Sequence, residues 1–151
     1  MFSSTLDSVR AIGVGLFSGL ENTDQDYERY VSEIVECVKR FADAEAPVYL
    51  LVVEPDNASP GAAWRKKIAE ASRGVPPQTL FLFVGGSRLT RGVVTAISWL
   101  APRSYETKVI ATWEEARALV AERRQVSEGL LDQLLESARA NAGSVSASAS
   151  R

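Results

Sequence analysis

Two short runs, Val48-Tyr49-Leu50-Leu51-Val52-Val53 and Thr79-Leu80-Phe81-Leu82-Phe83-Val84, constrain this chain more than anything else in it. Each has the length of a strand and is apolar on both faces. Such a strand is satisfied only inside a sheet that carries helices on both sides. The segments around the runs read as those helices. Asn22-Thr23-Asp24 offers N-cap residues with acids in the first turn, ahead of a helix expected over 25–45 with Tyr30, Ile34, Cys37, Val38 and Phe41 on one face. Ser59 then Pro60 reads as an N-cap and first helical position, with the helix running to Arg73 and Gly74 closing it. A third helix is expected over 89–100, with Val93, Ile97 and Leu100 inward, Trp99 just off that stripe and Pro102 after it. Thr112-Trp113-Glu114-Glu115 forms a capping box before a helix with Ala116, Leu119 and Val120 inward.

Val9–Leu20 reads as one further strand, with a hairpin partner near Phe2–Leu6, and Lys108–Ala111 as a last short strand. Strands and helices that alternate this regularly imply right-handed crossovers and an α/β domain with a mostly parallel sheet over 1–124. Over 125–140 an amphipathic helix follows, set off by Gly129, with Leu130, Leu131, Leu134, Leu135 and Ala138 on one face. That stripe must be covered, either by this domain or by a partner, through docking or self-association as a homodimer, and Leu130, Leu131, Leu134 and Leu135 are the candidate oligomerisation residues. Residues 141–151 are almost entirely Ala, Ser and Gly and are expected as a solvated tail.

Composition removes several chemistries. With no histidine, Ser-His-Asp and Cys-His pairs and His-ligated metals are excluded. Cys37 stands alone, so neither a disulfide nor a cysteine metal site is expected. The net charge of −2 and the lack of a long basic run give no field for nucleic acid or anionic lipid. No apolar run reaches the ~18 residues of a membrane span, and the N-terminus lacks a signal pattern, so cytoplasm is the expected location. No cofactor or metal is expected.

Two loops remain as candidate sites, both at the carboxyl ends of parallel strands, where open α/β sheets bind ligands. Gly85-Gly86-Ser87-Arg88-Leu89-Thr90-Arg91 joins a strand to a helix N-terminus, with two arginines and hydroxyls that suit an anion, although the phosphate-loop spacing is absent. Glu54, Asp56, Asn57 and Ser59 lie on the neighbouring loop. An enzyme would have to be built on Glu54, Asp56 or Lys66, and no nucleophile–base–orienter set can be assembled from their spacing.

The second half of the chain, LFLFVGGSRLTRGVVTAISWLAP and KVIATWEEARALV, resembles the STAS-like proteins of the anti-sigma-factor-antagonist (SpoIIAA-like, STAS/SEC14) branch, a likeness that extends over roughly Val9 to Ala121. The resemblance implies a small, mostly parallel sheet flanked by helices and regulation by protein–protein contact. In some members it also implies a bound nucleotide or lipid. It further implies a phosphorylatable serine between a strand and a helix, for which Ser59, within Asp56-Asn57-Ala58-Ser59-Pro60-Gly61, is the nearest match. The expected function is therefore a non-enzymatic regulatory or binding module acting through a protein partner. The alternative is a binder of a lipid or nucleotide at the carboxyl ends of the strands.

Overall fold

The computed structural model describes residues 1–100 and 104–149, and side chains for residues 1–96 and 104–142. The two doubly apolar runs form β3 (Val48–Val53) and β4 (Leu80–Gly85) at the centre of a five-stranded sheet. β2 (Ile12–Phe17) and β5 (Glu106–Ile110) lie parallel on either side of them, and β1 (Phe2–Asp7) pairs antiparallel with β2 at one edge. Spatial order follows chain order, β1-β2-β3-β4-β5. The helices between the parallel strands, α1 (Asp24–Arg40), α2 (Ala62–Ser72) and α3 (Arg88–Leu100), therefore share one face, as right-handed crossovers onto successive neighbours require. The other face carries α4 (Trp113–Arg124) and α5 (Glu128–Ala149).

Alternation along the strands divides the core in two. Ile12, Val14, Val48, Leu50, Leu82 and Val84 face α4 and α5, where they form an aliphatic layer with Ala116, Val120, Leu131 and Leu135. Phe17, Tyr49, Leu51, Val53 and Phe83 face the other way, against Tyr27, Tyr30 and Ile34 of α1, Ile68 of α2 and Val94 of α3. On this second face β2 presents Gly13 and Gly15, for a definite reason. The Tyr49 ring leans across from the adjacent strand and lies where their side chains would be. A Cβ on Gly13 would sit 2.6 Å from Tyr49 Cδ2, and one on Gly15 would collide with Tyr49 Oη. The close approach lets Tyr49 Oη donate a 2.8 Å hydrogen bond to Glu33 of α1.

Several expectations at the ends of elements are corrected. Val9 and Leu20 lie outside the strand and are 94% and 69% exposed. The chain instead turns at residues 8–11, where the Asp7 carboxylate accepts the Arg10 N–H and ion-pairs with its guanidinium, and Phe2–Asp7 makes the full hairpin partner. α1 begins as expected, with Thr23 and Asp26 forming a reciprocal capping box. It ends at Arg40 rather than residue 45. α2 begins at Ala62 with Gly61 as N-cap, so Ser59 and Pro60 precede the helix. The Ser59 hydroxyl is drawn to Thr90 instead, at 3.3 Å, and the Pro60 carbonyl accepts from Arg65.

The break before the last helix falls at Gln125, which takes a left-handed conformation and closes α4, while Gly129 lies inside the first turn of α5. The leucine stripe folds back on its own sheet. Leu131, Leu135 and Ala138 are buried against β1 and β2, and Leu130 and Leu134 are half-buried. Of the four candidate oligomerisation leucines, Leu131 and Leu135 are thus part of this domain's core. Asp132 accepts from Trp113 Nε1 and Arg117, pinning α5 to α4. Helix α5 also continues through most of the expected tail, to Ala149, and Asn141 donates to the Ser4 carbonyl on the edge strand. Alanine loses no side-chain entropy in a helix, so a chain already nucleated against the sheet continues through this segment. The side chains of Ile97, Trp99 and Leu100, on which the expected inward stripe and exposure rest, lie outside those described, as do Pro102 and residues 150–151.

Leu131→Ala is expected to lower unfolding stability by about 2–5 kcal/mol, the usual range for emptying a buried leucine site. Leu130→Ala, at the half-buried rim, costs distinctly less. Denaturant melts of both variants measure this. Unchanged stability in Leu131→Ala, together with a lost dimer, would place the stripe against a second copy instead.

Candidate functional site

The aromatic face of the sheet does not close against its helices. Between them lies a chamber in which the centre of a water-sized sphere has about 100 Å³ to move. Its floor is Phe17, Tyr49, Leu51, Val53, Phe81 and Phe83. Its roof comes from Tyr27, Tyr30, Ile34 and Cys37 of α1, Ile68 and Ser72 of α2, and Val93 and Val94 of α3. The gap follows from the side chains on each surface. Large rings on β2, β3 and β4 hold the helices off, while α2 and α3 turn Ala69, Ser72, Thr90 and Val93 toward them, too small to fill the space between rings. Interiors are otherwise packed to roughly 0.74–0.76 of their volume.

The chamber runs the length of the strands. At their carboxyl ends it is bounded by Asn22, Asn57, Ala58, Pro60 and Thr90, and at their amino ends by Phe41, Val75, Pro76, Thr79 and Tyr105. A strand of this length spans ~17–20 Å. No charged side chain is among the described residues that line it. Its aromatic wall is organised, with Tyr49 and Phe81 parallel at 6.1 Å and Tyr27 stacked on Trp64 at 5.5 Å. Trp64 is held in turn by Asp24, which accepts its Nε1–H at 2.8 Å.

The residues singled out from the sequence gather at the carboxyl-end rim. Asn57 is buried and exchanges amide hydrogen bonds with Asn22, while its Nδ2 donates to the Gly19 carbonyl at 3.0 Å. It thereby ties the loop after β3 to the loop after β2. Glu54 is half-buried, and its carboxylate accepts the Gly19 N–H at 2.8 Å, while Asp56 is exposed. Ser59 and Ser87 meet through Thr90, whose Oγ1 is 3.3 Å from one hydroxyl and 3.0 Å from the other. Gly85 and Gly86 both take positive φ, which aims the Gly86 N–H at the Val53 carbonyl. Thr90 N–H is committed to Ser87 Oγ. Two of the backbone donors that an anion would use are thus already engaged. Arg88 and Arg91 are exposed on the first turn of α3, and Lys66 is exposed on α2.

Sequence reasoning missed the chamber. Its floor residues read only as buried strand positions, and nothing local distinguishes an aromatic residue that fills a core from one that walls a cavity. The available signal was the contrast between the two strand faces, with rings at positions 17, 49, 81 and 83 opposite aliphatic residues at 12, 14, 48, 50 and 82.

Two titrating groups sit behind the aromatic wall. Burial pushes the Glu33 carboxyl above its ordinary value of 4.5, although hydrogen bonds from Ser4 and Tyr49 pull the other way. Burial, with Glu33 and Glu36 nearby, pushes the Cys37 thiol up to about 12, so it faces the chamber as an unreactive thiol. Among the described residues no cluster of three His, Cys, Asp or Glu side chains is placed to hold a metal, and no helix is long and apolar enough to cross a membrane. Comparison with family models, with curated proteins and with solved structures gives no match to this chain.

Because Glu33 titrates higher folded than unfolded, its contribution to stability is fully present below the unfolded value and is lost as pH rises through the folded one. Glu33→Gln, which keeps an acceptor for Tyr49, is therefore expected to melt above the wild type at neutral and mildly alkaline pH. The two should converge as pH falls below 4.5, the ordinary carboxyl value. Thermal melts across that range test this, and a constant difference at every pH would contradict it.

Proposed function

We propose that this chain is a non-catalytic binding module that takes an apolar small molecule between the aromatic face of its sheet and helices α1–α3. The observation that carries the reading is the chamber, elongated, walled by aromatic and aliphatic side chains, and free of charge among the described residues. Protein binding sites are typically of this kind, largely apolar and concave with few polar groups. Energetics point the same way. At ~24 cal/mol per Å³, leaving such a volume dry and unfilled costs about 2 kcal/mol, which an occupant returns on binding. An uncharged lining favours a lipid-like hydrocarbon over a nucleotide, whose phosphates would be desolvated with no counter-charge.

A second reading, regulation by a protein partner, is supported by a different observation. Leu20 and Leu89 are 69% and 74% exposed. Ala58 N–H donates to the Leu20 carbonyl, and Ser59 meets Thr90, next to Leu89, so both leucines belong to the carboxyl-end rim. The small, mostly parallel sheet flanked by helices fits the architecture the STAS-like resemblance implies, and Ser59 is the hydroxyl that resemblance singles out. Phosphorylation there would place about −1.5 to −2 charges against Thr90, at the end of the chamber. Arg88→Glu combined with Leu89→Ser is expected to release partners that co-purify with the wild type, and partners retained by that variant would exclude this surface.

The leading proposal is tested by binding. At a hundred times its dissociation constant, a linear hydrocarbon such as n-decane or 1-decanol is expected to add about 2.7 kcal/mol to the stability of the full chain. Val93→Phe, which fills the chamber from α3, is expected to abolish that gain while leaving unliganded stability nearly unchanged. Absence of any shift with these probes, together with a bare protein mass in native mass spectrometry after gentle purification, would refute the reading.

A further inference from the structure

The hydroxyl groups that line the chamber are nearly all engaged. Tyr27 Oη accepts from Asn22, Tyr49 Oη donates to Glu33, Ser72 Oγ donates to the Ile68 carbonyl, and Thr90 Oγ1 meets Ser59 and Ser87. Thr79 differs. It is 6% exposed and lines the chamber at the amino ends of the strands, and its Oγ1 is buried with no hydrogen-bond partner among the described residues. Its own N–H is satisfied by the Pro76 carbonyl at 3.0 Å, so only the side chain is left open.

A second hydroxyl, on the neighbouring strand, is in the same condition. Thr107 Oγ1, on β5, is likewise buried and unpartnered among the described residues. Thr107 is in register with Phe81 and so shares its face of the sheet, although it is not among the residues that line the chamber, whereas Thr79 immediately precedes β4 and lines the chamber with Phe81. Burying such a group without a partner costs roughly 1–3 kcal/mol. A pure hydrocarbon lying on Phe81 would leave that cost in place, whereas an oxygen-bearing ligand would remove it.

Charge complementarity restricts the ligand from the other side. A carboxylate or ammonium in the chamber would lose its water and find no opposite charge among the lining residues. A threonine hydroxyl both donates and accepts, so it serves an alcohol or a carbonyl equally well. Resting on the chamber reading above, we infer that the ligand is a neutral amphiphile, a hydrocarbon chain with one uncharged hydroxyl or carbonyl oxygen, and that this oxygen is seated at Thr79, whose Oγ1 turns about the Cα–Cβ bond out of its buried position to meet it.

Calorimetric titration of the full chain with 1-decanol, decanoate and n-decane, compared at equal aqueous activity, tests the assignment. The expected ranking in the wild type is 1-decanol first, with n-decane and decanoate at least fivefold weaker, matching one hydrogen bond of about 1 kcal/mol or more. In Thr79→Val, which preserves side-chain shape, 1-decanol should weaken to the level of n-decane while n-decane binds as well as before. The wild-type ranking needs no variant, so a Thr79→Val protein that failed to fold would not remove the test. Equal binding of 1-decanol and n-decane would overturn the neutral-amphiphile assignment and leave the apolar chamber intact. Tightest binding of decanoate would overturn it as well. Failure of all three probes to bind would overturn both readings.

Discussion

The position of one ring, Tyr49, determines how the helical layer over β1–β4 is built. It leaves β3 and lies over β2 because Gly13 and Gly15 have no side chains to obstruct it. There its hydroxyl meets Glu33 inside the layer between sheet and α1. A buried polar pair of this kind is worthwhile only when both members are satisfied. The glycines, the tyrosine and the glutamate therefore act as a unit. Phe81 stacks parallel to Tyr49 on the next strand, and Phe17 and Tyr30 pack edge to face nearby with Phe2 tilted against both, so the height of this layer is set by rings rather than by methyl groups.

The two faces of the sheet consequently do different work. Against α4 and α5 the sheet offers branched aliphatic side chains that interdigitate, with Ala116, Val120, Leu131 and Ala138 fully buried. Against α1–α3 the rings act as spacers, and small residues on α2 and α3 leave the space between them open. The polar knot of Asn22 and Asn57 closes one end of this space by joining two loops, and the hydroxyl group of Thr90 with Ser59 and Ser87 borders it on the α3 side. Asn57, Ser59 and Ser87, singled out in the sequence, hold hydrogen bonds of the rim, and the chamber lies beneath them.

Much of the element order could be read from the chain. VYLLVV and LFLFV announced central strands because they are apolar on both faces, and Thr23 and Thr112 announced helix starts because their side chains serve exposed N–H groups. Legibility ended where a local signal had a competing partner elsewhere in the fold. Ser59-Pro60 has the form of a helix start, yet the Ser59 hydroxyl turns to Thr90, 31 residues away in sequence. Likewise the alanine- and serine-rich end has the composition of a tail but extends a helix already held by Leu131 and Leu135 on the sheet and by Asn141 on Ser4.

The sequence by itself determined the alternation of strands and helices, the parallel core of the sheet, the excluded histidine and disulfide chemistries and the existence of an apolar stripe at residues 130–138. These depend on periodicity and residue type, which act over a few neighbouring positions. Only the tertiary structure decided that the stripe covers its own sheet, that Tyr49 occupies the place of two glycine side chains, and that a chamber ending at an unpartnered Thr79 separates the sheet from α1–α3. Each of these depends on the distance between surfaces contributed by residues far apart in the chain. That distance is the outcome of packing side-chain volumes against one another, and no local pattern encodes it.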